Sequence, residues 1–365
     1  MALIGFAAYQ LLRLPLTQLL DMPWFHSWLW FRWDAGHYLK IAENGYTYFS
    51  CAELEGFPKN TDAMCGTTGW FPGYPLLIRW FRFGADYILV GSIISKVFFF
   101  ITLFLTSFLL KIKKINAKNI ILIFIAVFGF GSIYYQAIFP MSATLTFMLL
   151  AIIFFQKKKF WMVAISCFIV SFMYSTGFLL SIVLGLALMF ESKTDFKDRF
   201  INAAIINIFG ALGVLLFFAL LQIEVGEWAA FINVQAKYGH GFETPWKRIG
   251  AMLNSIPKPL FVLTNVIYLQ SIVVLIGYLV ISFYFITKKW YQDKLKLIAY
   301  IFISAYIIFP WTIGGNLSMY RAESLLLPVV FLLKDLRIKT LIAILIIEIA
   351  LWLPMSYLFL DSILV

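Results

Sequence analysis

The chain has 365 residues, of which 62% are hydrophobic and 13% are charged, and its mean hydropathy is +0.89. Soluble domains are about half apolar and about one quarter charged, so this composition excludes a soluble globular protein. The net charge of +11 does not indicate nucleic-acid binding, because lysine and arginine are gathered in short clusters between long apolar segments.

Five basic clusters divide the chain, at residues 111–118, 157–159, 193–199, 288–296 and 334–339. Clusters of this kind mark the cytoplasmic loops of helical membrane proteins and contact anionic lipids. The apolar segments between them suit a bilayer core about 30 Å thick. We therefore predict an all-α polytopic membrane protein with about eleven transmembrane helices, at about 2–20, 88–110, 119–137, 142–156, 160–173, 175–190, 200–221, 264–287, 296–312, 323–334 and 340–360.

Placing the basic clusters in the cytoplasm leaves three longer connections outside, at residues 21–85, 222–262 and 314–323. These connections are aromatic and carry nearly every acid and histidine that lies outside the basic loops. The first apolar segment contains Arg13 and no small-residue cleavage site, so we expect a retained helix. Residues 1–365 are expected to form a single transmembrane domain that functions on its external face.

Residues 32–48 form a polar and aromatic island directly after the first apolar segment, where we expect interfacial helices. A carboxylate at the edge of the hydrocarbon layer is costly unless it is paired or used, which draws attention to Asp34. In a helix, Asp34, His37 and Tyr38 share one face, so Asp34 is a candidate general base with polar neighbours that orient a hydroxyl. The alternative is a helix cap or a structural Arg32–Asp34 pair.

The same external connection contains Cys51 and Cys65, whereas Cys167 lies within a predicted helix. Two cysteines in an exported loop indicate a disulfide bond, and the alternative is a pair of free thiols. A zinc site is not expected, because no second pair of Cys or His lies nearby at ligand spacing.

The two later external connections contain candidate binding residues. In the second, Gln235, Tyr238, His240 and Trp246 combine hydrogen-bonding groups with aromatic rings, as sugar sites do, although interface anchors have a similar composition. In the third, Arg321 lies at membrane depth, where its fork of donors suits a phosphate. A salt bridge from Arg321 to Glu323 or to Asp34 is the alternative.

The chain resembles the family of glycosylphosphatidylinositol mannosyltransferase II and its prokaryotic relatives in the run Arg32-Trp33-Asp34-Ala35-Gly36-His37-Tyr38, followed by Ile41-Ala42, Gly45-Tyr46, Phe71-Pro72 and Tyr74-Pro75-Leu76. The downstream elements Gln235, Tyr238-Gly239, Pro245-Trp246 and Arg321 resemble that family's later motifs in the same order, so the resemblance spans most of the chain.

This resemblance implies a GT-C-type glycosyltransferase. Such an enzyme transfers a sugar, here mannose, from a polyprenyl- or dolichyl-phosphate donor to a lipid or glycan acceptor, with inversion, on the external or lumenal face. Asp34 would be the catalytic acidic residue, while Arg321 and Arg32 would bind the donor phosphate. The sugar or acceptor would be bound by His37, Tyr38, Gln235, Tyr238, His240 and Trp246.

Cofactors and a divalent metal are not expected, because an arginine pair can match one phosphate charge. The expected partners are membrane lipids and the two substrates. We expect a prokaryotic plasma membrane, with the endoplasmic reticulum membrane as the alternative.

Two departures from the family pattern leave the acceptor open. Tyr238 stands where relatives often carry Trp, and Pro140-Met141-Ser142-Ala143 stands where a Ser-Glu pair is expected. The main competing function is a lipid or glycolipid transporter or flippase, which would call for charges inside the spans. Such charges are few, namely Lys96 and Glu348. A scaffold or receptor without catalysis is a further alternative.

Overall fold

The computed structural model describes residues 1–23, 26–191, 195–239, 242–254, 263–313 and 319–364. Within these ranges the chain is mostly helical, with one two-stranded hairpin. The helices, in chain order, are α1 (Ala2–Leu19), α2 (Ala35–Asn44), α3 (Gly73–Phe81), α4 (Tyr87–Leu109), α5 (Ala117–Phe128), α6 (Met141–Gln156), α7 (Phe160–Met173), α8 (Leu179–Met189), α9 (Phe196–Val225), α10 (Ala230–Ala236), α11 (Pro245–Asn254), α12 (Val266–Thr287), α13 (Lys294–Ile313), α14 (Met319–Ala322), α15 (Val330–Leu333) and α16 (Ile338–Leu360).

Five helical segments are long and apolar enough to cross a membrane: α4, α9, Leu263–Thr287 (which contains α12), α13 and α16. Four shorter apolar helices, α5 to α8, pack among them. Long apolar helices of this kind satisfy their backbone hydrogen bonds internally, as a bilayer requires. The chain is therefore a helical membrane protein, as its composition predicts.

Two segments differ from the predicted regular helices. The helix predicted at 119–137 ends at Phe128, and the chain turns through Gly131, with φ of +67°, into a 3-10 turn at Ser132–Tyr135. The helix predicted at 323–334 is a 3-10 segment, Glu323–Val329, followed by the single turn of α15. Pro328 lies in that segment and cannot donate a backbone hydrogen bond, and its side chains are buried rather than lipid-facing.

The helices pack closely in several pairs, including α7 with α9, α4 with α6, and α16 with α5. Small residues allow the closest of these approaches: a Cβ at Gly213 of α9 would meet the backbone oxygen of Phe168 at 2.5 Å. Small residues at helix interfaces are typical of membrane proteins, where close packing drives association.

The basic loops meet one another at one end of the bundle, here called the basic end and defined by Lys158, Glu191, Asp293, Lys294 and Lys334. The Glu191 carboxylate lies 3.0 Å from Lys294 Nζ and 3.7 Å from Lys158 Nζ, and Asp293 lies 3.0 Å from Lys334 Nζ. Loops that the charge pattern places on one side of the membrane therefore lie together. Which side this is stays a prediction.

The first long connection contains the hairpin, in which β1 (Tyr48–Ser50) pairs antiparallel with β2 (Met64–Gly66). The chain between the two strands is closed by a disulfide bond between Cys51 and Cys65, whose Cα atoms are 5.0 Å apart. The predicted disulfide is confirmed.

Candidate active site at the aromatic end

Asp34 and Arg321 form an ion pair at the end of the bundle opposite to the basic loops. Asp34 precedes α2, and its Oδ2 accepts a hydrogen bond from Arg321 Nη1. The pair is enclosed, since the Arg321 side chain is 13% exposed and the Asp34 side chain 17%. Trp33, immediately before Asp34, has φ of +45°, a conformation that non-glycine residues adopt only where the surroundings hold it.

This geometry decides between the alternatives for Asp34. Asp34 occupies the first position before α2, but its side chain makes no capping hydrogen bond. Arg32 is directed elsewhere: its Nε and Nη2 donate to the Leu360 oxygen at 3.2 and 3.0 Å, and its Nη1 to the Trp28 and Phe31 oxygens at 2.9 Å. The partner of Asp34 is Arg321, a residue 287 positions away.

Glu323, the other acid near Arg321 in sequence, has separate partners. Its carboxylate accepts from Gln270 Nε2 and Ser271 Oγ of α12, each at 2.6 Å. The described contacts therefore place Arg321 with Asp34 and Glu323 with α12.

Aromatic rings surround the ion pair. The Arg321 guanidinium carbon lies 5.3 Å from the Phe139 ring centroid and 5.8 Å from that of Tyr134, within the range of cation–π attraction. The buried ring of Tyr38 meets Phe139 edge-on at 5.7 Å. These rings exclude water and so strengthen electrostatic interactions inside the site.

Five separate connections supply this cluster, which we call the aromatic end: Asp34, Phe139, Tyr174, Tyr238 and Arg321. Tyr174 and Tyr238 lie near enough to the ion pair for both of its charges to act on their phenols. Asp34, Tyr238 and Arg321 lie in the three connections that the charge pattern places outside. Phe139 and Tyr174 lie in short connections between predicted helices whose other ends lead into the basic loops. The structure brings all five together at one place.

The electrostatics of the site keep Arg321 charged and its phenols neutral. Burial lowers the pKa of Arg321, but the neighbouring Asp34 carboxylate outweighs burial and holds it above its ordinary value. Burial raises the pKa of Tyr174 to about 12, with Arg321 opposing this effect and Asp34 adding to it. Burial, with Asp34 adding and Arg321 opposing, also raises the pKa values of Tyr38 and Tyr238. The phenols are therefore hydrogen-bond donors at neutral pH.

His37 presents a neutral imidazole beside the pair. Its ring stacks on Trp70, with centroids 3.5 Å apart and an angle of 11°. Burial lowers the pKa of His37 to about 4, the Asp34 charge opposes this effect, and Lys40 and Lys237 add to it. Its Nδ1 is buried and has no hydrogen-bond partner among the described residues. Among the described residues, that nitrogen is therefore an unfilled hydrogen-bonding group.

The remaining predicted binding residues are placed differently. Gln235 Nε2 donates to the Gly69 oxygen at 2.8 Å, which ties α10 to the first connection. Trp246 lies on α11 and is 81% exposed. His240 falls outside the described residues, so its predicted role stays a prediction.

Sequence reasoning missed Tyr134, which lies in the segment predicted as the helix 119–137. It also missed Phe139 and Tyr174, which lie in the short connections between predicted helices. The available signal was an aromatic residue in each short connection assigned to the external side. It also missed the spacing set by Gly131: a Cβ there would meet the Tyr320 oxygen at 2.6 Å and the Ser324 nitrogen at 2.8 Å, so the backbone around Arg321 rests directly on this glycine.

Within the described ranges, no group of three or more His, Cys, Asp and Glu side chains is arranged to hold a metal ion. The arrangement instead offers one carboxylate, one guanidinium and several neutral donors in an aromatic enclosure.

Comparison with known proteins finds no matching family and no matching curated protein. The family resemblance therefore depends on the sequence motifs themselves.

Proposed function

We propose that the protein is an integral-membrane glycosyltransferase of the GT-C type with about eleven spans. It transfers a sugar, mannose by the family resemblance, from a polyprenyl- or dolichyl-phosphate donor to a lipid or glycan hydroxyl on the external or lumenal face. The observation that carries this proposal is the convergence of Asp34 and Arg321 from distant connections into one aromatic enclosure. An acid and a phosphate-binding cation are the two groups that such a transfer needs side by side.

In our proposal, Asp34 and Arg321 are paired with each other before substrate binds. In this arrangement the Arg321 guanidinium holds the Asp34 carboxylate. In our proposal the donor phosphate, a diester with one negative charge, binds Arg321 through the fork of donors. Asp34 is then released from Arg321 and faces the acceptor hydroxyl.

Transfer follows as one displacement. The acceptor oxygen attacks the anomeric carbon from the face opposite to the phosphate, a new carbon–oxygen bond forms, and the bond to the phosphate oxygen breaks with inversion. The acceptor proton passes to Asp34. The departing prenyl phosphate gains a second negative charge, which Arg321 stabilises.

The neighbouring side chains would hold the sugar and the acceptor. His37 offers an unfilled ring nitrogen on a flat stacked face, and Tyr38, Tyr174 and Tyr238 offer neutral hydroxyls. Arg32 is engaged with the end of α16, so a direct contact with phosphate would require it to leave the Leu360 oxygen.

The test is a transfer assay on the full chain in lipid vesicles. Mannosyl polyprenyl phosphate with a radiolabelled sugar is supplied, and label is sought in the lipid and glycan fractions, with Asp34→Asn as the inactive control. Label that stays on the donor with every sugar tried would contradict the proposal. Movement of labelled donor between leaflets without transfer would instead favour a flippase.

A further inference from the structure

Two buried glutamates inside the bundle have no part in the proposed chemistry. Glu348 of α16 is 3% exposed, and Glu323, which follows α14, is 6% exposed. Both line one cavity of about 20 Å³, in which Ile125 and Gly129 at the end of α5 form another wall. A carboxylate at membrane depth is costly unless a partner offsets its charge.

The two carboxylates differ in their partners. Glu323 accepts hydrogen bonds from Gln270 and Ser271, each at 2.6 Å, so two donors stabilise its charge. Glu348 forms no salt bridge with a described lysine or arginine. Its Oε2 is buried and has no hydrogen-bond partner among the described residues. An ionised Glu348 therefore needs a positive charge from within the cavity.

The end of α5 adds further negative charge to the cavity. α5 has 12 residues, which span about 18 Å at about 1.5 Å per residue, so it stops within a hydrocarbon core about 30 Å thick. Among the described backbone hydrogen bonds, none returns from residues 129–131 to α5. The backbone thus leaves the carbonyl oxygens of the last turn unfilled, and these carry the partial negative charge of a helix C-terminus. A Cβ at Gly129 would lie 4.0 Å from Glu348 Oε1, which shows how close this helix end is to the carboxylate.

We propose that Glu348, Glu323 and the carbonyl oxygens at the end of α5 bind one sodium ion. Hard cations take oxygen ligands, and in membrane proteins the C-terminal ends of helices that stop within the bilayer coordinate sodium. A cavity of about 20 Å³ holds about one water-sized particle. Mg²⁺ keeps several of its waters, so a dehydrated monovalent ion fits this space better.

A bound sodium ion would join three elements, namely α5, α16 and the 3-10 segment Glu323–Val329. It would offset the charge of Glu348 and the negative end of α5 together, whereas a proton on Glu348 would neutralise only the carboxylate. The site is independent of the proposed transfer reaction, because sodium binding requires neither donor nor acceptor.

The test measures binding of radiolabelled sodium to the purified full chain, with choline chloride keeping the ionic strength constant. We expect saturable binding of one ion per chain that unlabelled sodium chloride displaces. Glu348→Gln removes the charge but keeps the size of the side chain. It should weaken binding at least about tenfold, because changes even outside the coordination shell cost about 10- to 100-fold in metal affinity.

Thermal unfolding supplies a second measurement that also shows whether the variant is folded. Sodium should raise the unfolding temperature of the wild type by mass action but leave that of Glu348→Gln unchanged. An equal rise in both proteins would contradict the assignment of Glu348 as a ligand.

Glu55→Gln is the matched control, because Glu55 is an exposed glutamate in the first connection. It should leave sodium binding unchanged. Equal binding by the wild type and Glu348→Gln, or an equal loss in Glu55→Gln, overturns the proposal. A wild type without saturable sodium binding also overturns it, and would mean that a proton neutralises Glu348.

Discussion

The two ends of the bundle use the same kind of ion pair in opposite surroundings. At the basic end, water reaches the lysine of pairs such as Lys158–Glu191, in which the lysine side chain is 54% exposed and the glutamate side chain 16% exposed. At the aromatic end, Arg321 and Asp34 are enclosed by rings from several connections. Exposed pairs contribute about 0–1 kcal/mol each, whereas removing one partner of a buried pair costs about 3–5 kcal/mol.

The difference shows that the surroundings decide what a charge pair does. Water and salt screen the lysines of the basic end and can replace the carboxylate partner of each. The enclosed pair is screened less, so we expect a ligand that binds there to compete directly with one member of the pair. We therefore expect activity to depend on one end and topology on the other.

The largest effect should come from Asp34→Asn, which removes the proposed base but retains the size of the side chain. Transfer should fall about 10²- to 10⁴-fold, the usual contribution of a positioned general base, while the protein remains folded in the membrane. The measurement is the initial rate with labelled donor. Asp293→Asn, which breaks the Lys334 pair at the basic end, should retain most activity. Normal turnover in Asp34→Asn would refute the assignment.

Arg321→Lys should lower transfer by about 10²-fold, the lower range for losing an electrostatic contact to the transition state. Lysine keeps the charge but loses the paired donors that match a phosphate. The loss should appear in kcat and not only in KM.

For stability, Arg321→Gln alone leaves Asp34 buried without its cation, so the double variant with Asp34→Asn should unfold at a higher temperature than Arg321→Gln. A double variant no more stable than the single one would show that the enclosure does not isolate the pair.

Cys51→Ser tests how firmly the first connection is held. Closing a loop of about fifteen residues stabilises a fold by about 3 kcal/mol, and the two cysteines are separated by 14 positions. We expect faster proteolysis within residues 51–65 and a smaller loss of transfer than for Arg321→Lys. Cys167→Ser, which removes the free buried thiol, is the control for the loss of a cysteine.

His37 should make stability depend on pH. Its folded pKa of about 4 lies below the ordinary value of 6.5, so between these values the unfolded chain binds the additional proton. Stability from this group is therefore present above pH 6.5 and falls as the pH drops toward 4. Thermal unfolding of wild type and His37→Gln across pH 4–7 should show a shallower slope in the variant. Identical slopes would mean that His37 is not held neutral.

Lys294→Gln should have the smallest effect. It removes the shorter of the two bridges to Glu191, while Lys158 remains beside that carboxylate. Stability should change by about 0–1 kcal/mol and transfer by less than a factor of two. A large loss of transfer would mean that the two ends are coupled.

Much of the helical framework follows from hydropathy. Helices near 2–20, 88–110, 142–156 and 264–287 appear within a few residues of their predicted bounds, because long apolar runs have no other stable form in a bilayer. The disulfide was predictable from cysteine placement alone. The early end of α5 was missed, although Gly129 and Gly131 in its continuation are the residue type that commonly follows the end of a helix.

The candidate site was predictable in part. Asp34 and Arg321 were identified because a charged side chain near the hydrocarbon layer costs free energy unless it is paired or used. Their pairing was one of several alternatives, because a contact across 287 positions leaves no periodic signal in the chain. The rings of Phe139 and Tyr174 were not identified, since an aromatic residue in a short turn reads equally well as an interface anchor.

Gly131 gives the site an unusual kind of vulnerability. The main chain on either side of Arg321 packs directly against Gly131, which has no side chain. The position of the guanidinium relative to Asp34 therefore depends on this backbone contact. Gly131→Ala would displace the backbone next to Arg321 and so move its guanidinium relative to Asp34. No chemically reactive group would be changed. Searches for inactivating variants that examine only acids, bases and rings would overlook it.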